Sequence, residues 1–113
     1  MRIFVPTETR FGENRVALVP YLVSKLTRAG LTVAIESGAG LRSGAADEEY
    51  SKAGADVISS SQRESALGSA DIVFSVQPLT PEKFSQLKSG AITISFLSTV
   101  NSKENIEAAA RAG

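Results

Sequence analysis

The sequence predicts an α/β protein: an open, mainly parallel five-stranded sheet with helices on both faces, three-layered in the flavodoxin-like or Rossmann-like manner. Three observations carry this expectation. Short β-branched and aromatic runs alternate strictly with stretches of helical apolar spacing, the pattern of successive βαβ units with right-handed crossovers. Two of those runs, Asp71–Val76 and Ala91–Leu97, are almost continuously apolar, as strands covered on both faces are. The chain has 113 residues, about one domain, and a chain of that length buries roughly 60–70% of its unfolded surface, enough for one core. No repeat, low-complexity tract or linker divides it, so 1–113 reads as a single unit.

Ile3, Phe4 and Val5 form a first buried strand, stopped by Pro6. Thr7 to Asn14 is polar, contains Gly12, and reads as a loop. From Pro20 the apolar residues Leu22, Val23 and Leu26 recur at helical spacing. Pro20 suits the first turn and Gly30 the stop. Leu31–Ile35 is a second strand with Val33 and Ile35 on one face. Asp47 is placed to cap a short helix over Glu48–Ala53, which Gly54 ends. Ala55–Ile58 is a third strand, and Gln62–Leu67 a weak helix closed by Gly68. After the strand Asp71–Val76, Gln77-Pro78 is a halt, and Thr80-Pro81 opens a short helix holding Phe84 and Leu87 that Ser89-Gly90 ends. Ala91–Leu97 is the fifth strand, and a last helix is expected from about Ser102 to Ala112.

Composition removes several function classes. Twelve basic side chains balance twelve acidic ones, which gives no electrostatic case for nucleic acid or an anionic membrane. There is no cysteine and no histidine, so disulfides, thiolate metal sites, the commonest metal ligand and the usual neutral-pH general base are all missing. The chain supplies no metal site by this reading. No segment approaches the ~18 apolar residues of a membrane span, so no direct membrane insertion is expected and the default compartment is the cytoplasm.

Three places invite a functional reading. In an open α/β sheet ligands bind beyond the carboxyl ends of the strands, so Arg15, in the first strand-to-helix loop, is a cleft candidate. Ser75 and Gln77, at the end of the fourth strand, share that address. The alternative for Arg15 is a solvated charge or a local pair with Glu8 or Glu13. Gly38-Ala39-Gly40 follows a strand, as a dinucleotide loop does, but Gly44 falls one position late and the next helix signal waits until Asp47, so a plain turn is the better reading. Ser59-Ser60-Ser61 is a turn and helix cap.

The run Arg2 to Glu8, then Glu13 to Pro20 reading E-N-R-V-A-L-V-P, Val33 to Gly40 reading V-A-I-E-S-G-A-G, and Ala53-Gly54-Ala55 together resemble the start of the alanine dehydrogenase and NAD(P) transhydrogenase alpha-subunit family. The resemblance runs in order along essentially the whole chain. It implies that the chain is the N-terminal lobe of a larger, two-lobed NAD(H)-binding subunit, and hence a fragment, with NAD held mainly by residues beyond this segment. It also implies for Arg15 the place of a substrate-binding arginine. The alanine dehydrogenases use a lysine and a histidine where this chain has Ser75 and Ser98, and neither hydroxyl carries charge at neutral pH or serves as a ready proton donor. That departure favours the transhydrogenase branch, in which hydride passes between NAD(H) and NADP(H).

The implied partners are NAD(H) and the NADP(H)-binding and membrane-embedded transhydrogenase components. A homodimer is expected at full length, cytoplasmic and peripheral to the membrane. Within the chain the cleft-side candidates are Arg15, Ser75 and Gln77, with no catalytic and no cofactor-binding residue. The competing expectations are an alanine dehydrogenase-like oxidoreductase and a truncated, non-catalytic binding or assembly module.

Overall fold

A computed structural model of the chain describes residues 1–9, 12–77 and 79–95. The expected strand end Phe96-Leu97, position Ser98 and the expected helix Ser102–Ala112 lie outside the described residues. Five strands, β1 (Arg2–Val5), β2 (Thr32–Glu36), β3 (Asp56–Ile58), β4 (Ile72–Phe74) and β5 (Ile92–Ile94), form one sheet in the order β3-β2-β1-β4-β5. All four pairings are parallel. That order selects the Rossmann-like arrangement of the two the sequence allows, and it puts the topological switch point between β1 and β4.

Helices α1 (Pro20–Arg28), α2 (Asp47–Lys52), α3 (Arg63–Ser69) and α4 (Pro81–Ser85) cross between the strands, with short 3-10 turns at Leu41–Ser43 and Ser60–Gln62. Strand alternation sorts the core. Ile3, Val5, Val33 and Ile35 point to one face and pack with Leu18, with Val23 of α1 and with Tyr50 of α2. Phe4, Ala34 and Val73 point to the other and pack with Ala66 and Leu67 of α3 and Phe84 of α4. Both faces are covered, which is why the strand sequences are apolar without a polar stripe.

Several boundaries differ from expectation for identifiable reasons. Asp47 is the first residue of α2 and Ala46 is its cap, because the Asp47 carboxylate turns back to accept from Ser37 Oγ (2.6 Å) and Gly38 N (2.8 Å). Glu49 Oε2 in turn accepts from Ala46 N at 3.1 Å. Gly68 does not stop α3, which runs through it to Ser69. β4 ends at Phe74, two residues short of the apolar run, because the Glu8 carboxylate takes the amides of Val76 and Gln77 in place of a strand partner.

Candidate functional site

Two polar loops meet at the switch point, one leaving β1 and one leaving β4. Glu8 of the first holds the second by its backbone: Oε2 accepts from Val76 N at 2.9 Å and Oε1 from Gln77 N at 3.0 Å. Glu13 adds a side-chain link, its Oε1 accepting from Gln77 Nε2 at 2.7 Å. The same carboxylate takes three donors from Arg15: Nε and the backbone N on Oε2 at 2.9 and 3.0 Å, and Nη2 on Oε1 at 2.9 Å. Sharing one carboxylate fixes the orientation of the guanidinium relative to the β4 loop.

Charge in this cluster is settled by those bonds. The Arg15 side chain, the Gln77 amide and the Arg15 backbone hold the Glu13 carboxyl down at about 2. Glu13 raises the Arg15 guanidinium in return. The pair is asymmetric in exposure, with Glu13 6% accessible and Arg15 66%. The carboxylate is the buried anchor and the guanidinium reaches outward, its Nη1 without a partner among the described residues. Both readings of Arg15 therefore hold at once: it is paired with Glu13, and it lines a cleft.

That cleft has a volume of about 590 Å³. Its walls are mostly apolar, from Val16, Ala17, Val19, Ala45, Phe74 and Ile94, with Arg15 and Ser75 among its polar members. Ser75 is nearly fully buried, and its hydroxyl oxygen has no hydrogen-bond partner within the described residues. Gln77, by contrast, is spent on Glu8 and Glu13 and is not part of the cleft wall. A smaller polar cleft of about 300 Å³ opens on the other side of Arg15, where Thr7, Glu8, Glu13, Glu36, Arg42 and Arg63 gather. Arg15 lines both.

Two further contacts, not foreseen from the sequence, position the Arg15 loop. Glu36, at the end of β2, is almost wholly buried and receives Arg63 in a two-pronged pair, Nε on Oε1 at 2.9 Å and Nη2 on Oε2 at 2.6 Å. It also accepts from Thr7 N at 3.0 Å. Burial pushes the Glu36 carboxyl up, but the hydrogen bonds from Arg63 and Thr7 outweigh it, and the net direction is down. Tyr50 of α2 supplies the second contact, donating from its buried hydroxyl to Leu18 O at 2.7 Å. Burial, with Glu49 and Asp47 nearby, raises the phenol to about 12, so it stays a donor at every ordinary pH. Neither partner was legible, because Glu36 and Arg63 lie 27 positions apart and no local spacing links Tyr50 to a carbonyl 32 residues earlier.

The Gly38–Gly40 loop does not fit a dinucleotide. Gly38 takes a positive φ of 83° and its amide is already given to Asp47. Gly40 is needed for space: a Cβ there would stand 2.6 Å from the Tyr50 ring and hydroxyl and 2.9 Å from Ala45 O. The chain then enters a 3-10 turn of three residues and not a long helix whose amides would receive a pyrophosphate. Among the described residues no group of acidic side chains is arranged to hold a metal ion, and no helix is long and apolar enough to cross a membrane.

Comparison with known proteins agrees with this architecture. Residues 4–113 match the family described as alanine dehydrogenase/PNT, N-terminal domain. An NAD(P) transhydrogenase subunit alpha of Rhodospirillum rubrum is 36% identical over 113 residues, which covers 96% of this chain and 29% of that protein. Alanine dehydrogenase of Bacillus subtilis (strain 168) is 38% identical over 97 residues, covering 86% of this chain and 25% of that one. The crystal structure of transhydrogenase from Sinorhizobium meliloti superposes on all of this chain and 33% of its own, with a TM-score of 0.90 at 34% identity. An L-alanine dehydrogenase structure gives 0.89 at 34% identity, over all of this chain and 30% of its own. The chain thus spans between a quarter and a third of the length of these relatives.

Proposed function

The chain belongs to the alanine dehydrogenase/PNT N-terminal domain family, and from that premise we propose that it is the N-terminal lobe of the NAD(H)-binding component of a proton-translocating NAD(P) transhydrogenase. In this reading the chain is one lobe of a longer two-lobed subunit, homodimeric, cytoplasmic and peripheral to the membrane. That subunit passes hydride between NAD(H) and an NADP(H) held by a partner component, beside a membrane-embedded one. The nicotinamide supplies the hydride when bound, and residues outside this segment hold it, in keeping with the poor fit of Gly38–Gly40. This lobe alone is inactive. It contributes one wall of the interlobe cleft, an apolar surface that excludes water, bordered by a guanidinium whose orientation Glu13 fixes.

The observation that carries the proposal is Ser75. Oxidation of an amino acid to a keto acid needs a cation beside the developing oxygen and a group that moves a proton. At the end of β4, where the resemblance implies a lysine in the alanine-oxidising branch, the 590 Å³ cleft has a buried neutral hydroxyl instead. A second reading, an alanine dehydrogenase-like oxidoreductase, is favoured by Arg15 alone, whose outward edge suits a carboxylate. The two readings separate in one assay. The full two-lobed polypeptide given alanine and NAD should form no NADH above a no-enzyme control, whereas alanine-dependent NADH formation well above that control would establish the second reading and sink the first.

A further inference from the structure

On the opposite face of the sheet from Tyr50, between the start of α3 and α4, lies a polar cleft of about 270 Å³. It is lined by Ser60, Ser61, Arg63, Glu82, Lys83 and their neighbours. It plays no part in the site described above. Of the four lysines among the described residues, Lys25, Lys52 and Lys88 are exposed and Lys83 is the one that is half-buried. Lys25 stands over the Tyr21 ring at 4.7 Å, and Lys88 is ion-paired with Asp71. Lys83 forms no ion pair with any described residue, although its cleft is open to solvent at one side.

The charged groups around its amine come from every neighbouring element. Arg63 and Glu64 face it from α3, Glu82 from its own helix, Glu36 from the end of β2 and Glu8 from the β1 loop. Arg63 is not free to swing away, because Glu36 holds two of its nitrogens. Burial first, and the fixed Arg63 charge second, hold the Lys83 ammonium below the usual lysine range, and the surrounding carboxylates only partly restore it. An amine in that state is a nucleophile near neutral pH.

We propose that Lys83 is an acylation site, its amine taking the acyl group of a small acyl phosphate in the cleft it shares with Arg63. The Nζ lone pair attacks the acyl carbon, the bond from that carbon to the phosphate oxygen breaks, and phosphate leaves with the electron pair. The extra proton on nitrogen passes to solvent, leaving a neutral amide. Arg63 and the Ser60 and Ser61 hydroxyls line the same cleft and are the groups for the departing phosphate.

The test is site-resolved. The chain is incubated with acetyl phosphate at neutral pH and acetylation of each lysine is followed by peptide mass spectrometry, with Lys83→Arg as the control that removes one labelled peptide. The expected result is a rate at Lys83 at least about twice that at Lys52, because the neutral amine fraction is larger. Excess inorganic phosphate should slow Lys83 and leave Lys52 unchanged. A Lys83 rate at or below that of Lys52, or phosphate slowing both equally, overturns the proposal.

Discussion

Replacing Gly40 with alanine should destabilise the protein far more than a glycine-to-alanine change normally does, and through packing alone. Gly40 has a φ of −95°, open to any residue, so the usual expectation is a small gain from a less flexible unfolded chain. The added methyl, however, would sit 2.6 Å from Tyr50 Cε2 and Oη, and Tyr50 is completely buried with its hydroxyl bound to Leu18 O. Overpacking of that kind costs about 1–3 kcal/mol, and a displaced Tyr50 hydroxyl that loses its carbonyl adds about 1 kcal/mol. The total is about 2–4 kcal/mol. For 113 residues an unfolding entropy of roughly 0.24 kcal/mol/K converts this to a Tm lowered by about 8–16 °C. Calorimetry on Gly40→Ala reads that shift directly. Adding Tyr50→Phe removes one of the two closest contacts, so the double variant should lose less than the two single losses combined. A Tm for Gly40→Ala within about 2 °C of the parent would refute the close approach of Tyr50 over this turn.

Glu36→Ala should cost about 2–4 kcal/mol in denaturant unfolding, because it leaves Arg63 without its partner and the Thr7 amide unpaired; a loss below about 0.5 kcal/mol would mean the pair is not formed. Stability should be level at neutral pH and fall on acidification below 4.5, the ordinary value from which Glu36 is lowered, and continue to fall toward about 2, where Glu13 titrates. The sign follows because both carboxyls are depressed in the fold, so their contribution is present above the unfolded value and lost below the folded one. At the alkaline end Tyr50 works the other way: its folded value is raised from 10.0 to about 12, so stability is lost as pH rises through that interval, and tyrosinate absorbance tracks it. Arg15→Ala should move the Tm by less than about 2 °C, since an exposed guanidinium gives up little packing. Glu13→Ala should lower it further than that, because the buried carboxylate links Arg15 to Gln77; equal Tm values for the two variants would remove Glu13 as the anchor.

The fold was legible where period and punctuation agreed. Alternation in Ile3–Val5 and Val33–Ile35 predicted which side chains face α1 and which face α3, because a strand exposes opposite faces in turn. Pro20 and Gly30 bracketed α1 correctly, the helix running Pro20–Arg28. Strand ends were harder, since the apolar run Asp71–Val76 carries no mark of the point where Glu8, almost seventy residues earlier, captures the backbone. Asp47 misled for a related reason: its spacing suited a cap, but its carboxylate was drawn to the nearer amide of Gly38. At the candidate site, Arg15, Ser75 and Gln77 were placed together by sheet geometry, while the roles of Glu36, Arg63 and Tyr50 arise from tertiary contacts that no window of sequence contains.

The most direct measurement of the central claim is NADH-dependent reduction of an NADP analogue by the full two-lobed polypeptide assembled with its NADP(H)-binding partner. The account predicts reduction that requires both components and is unaffected by added alanine or pyruvate. No reduction by an assembled complex that demonstrably binds both nucleotides would contradict it.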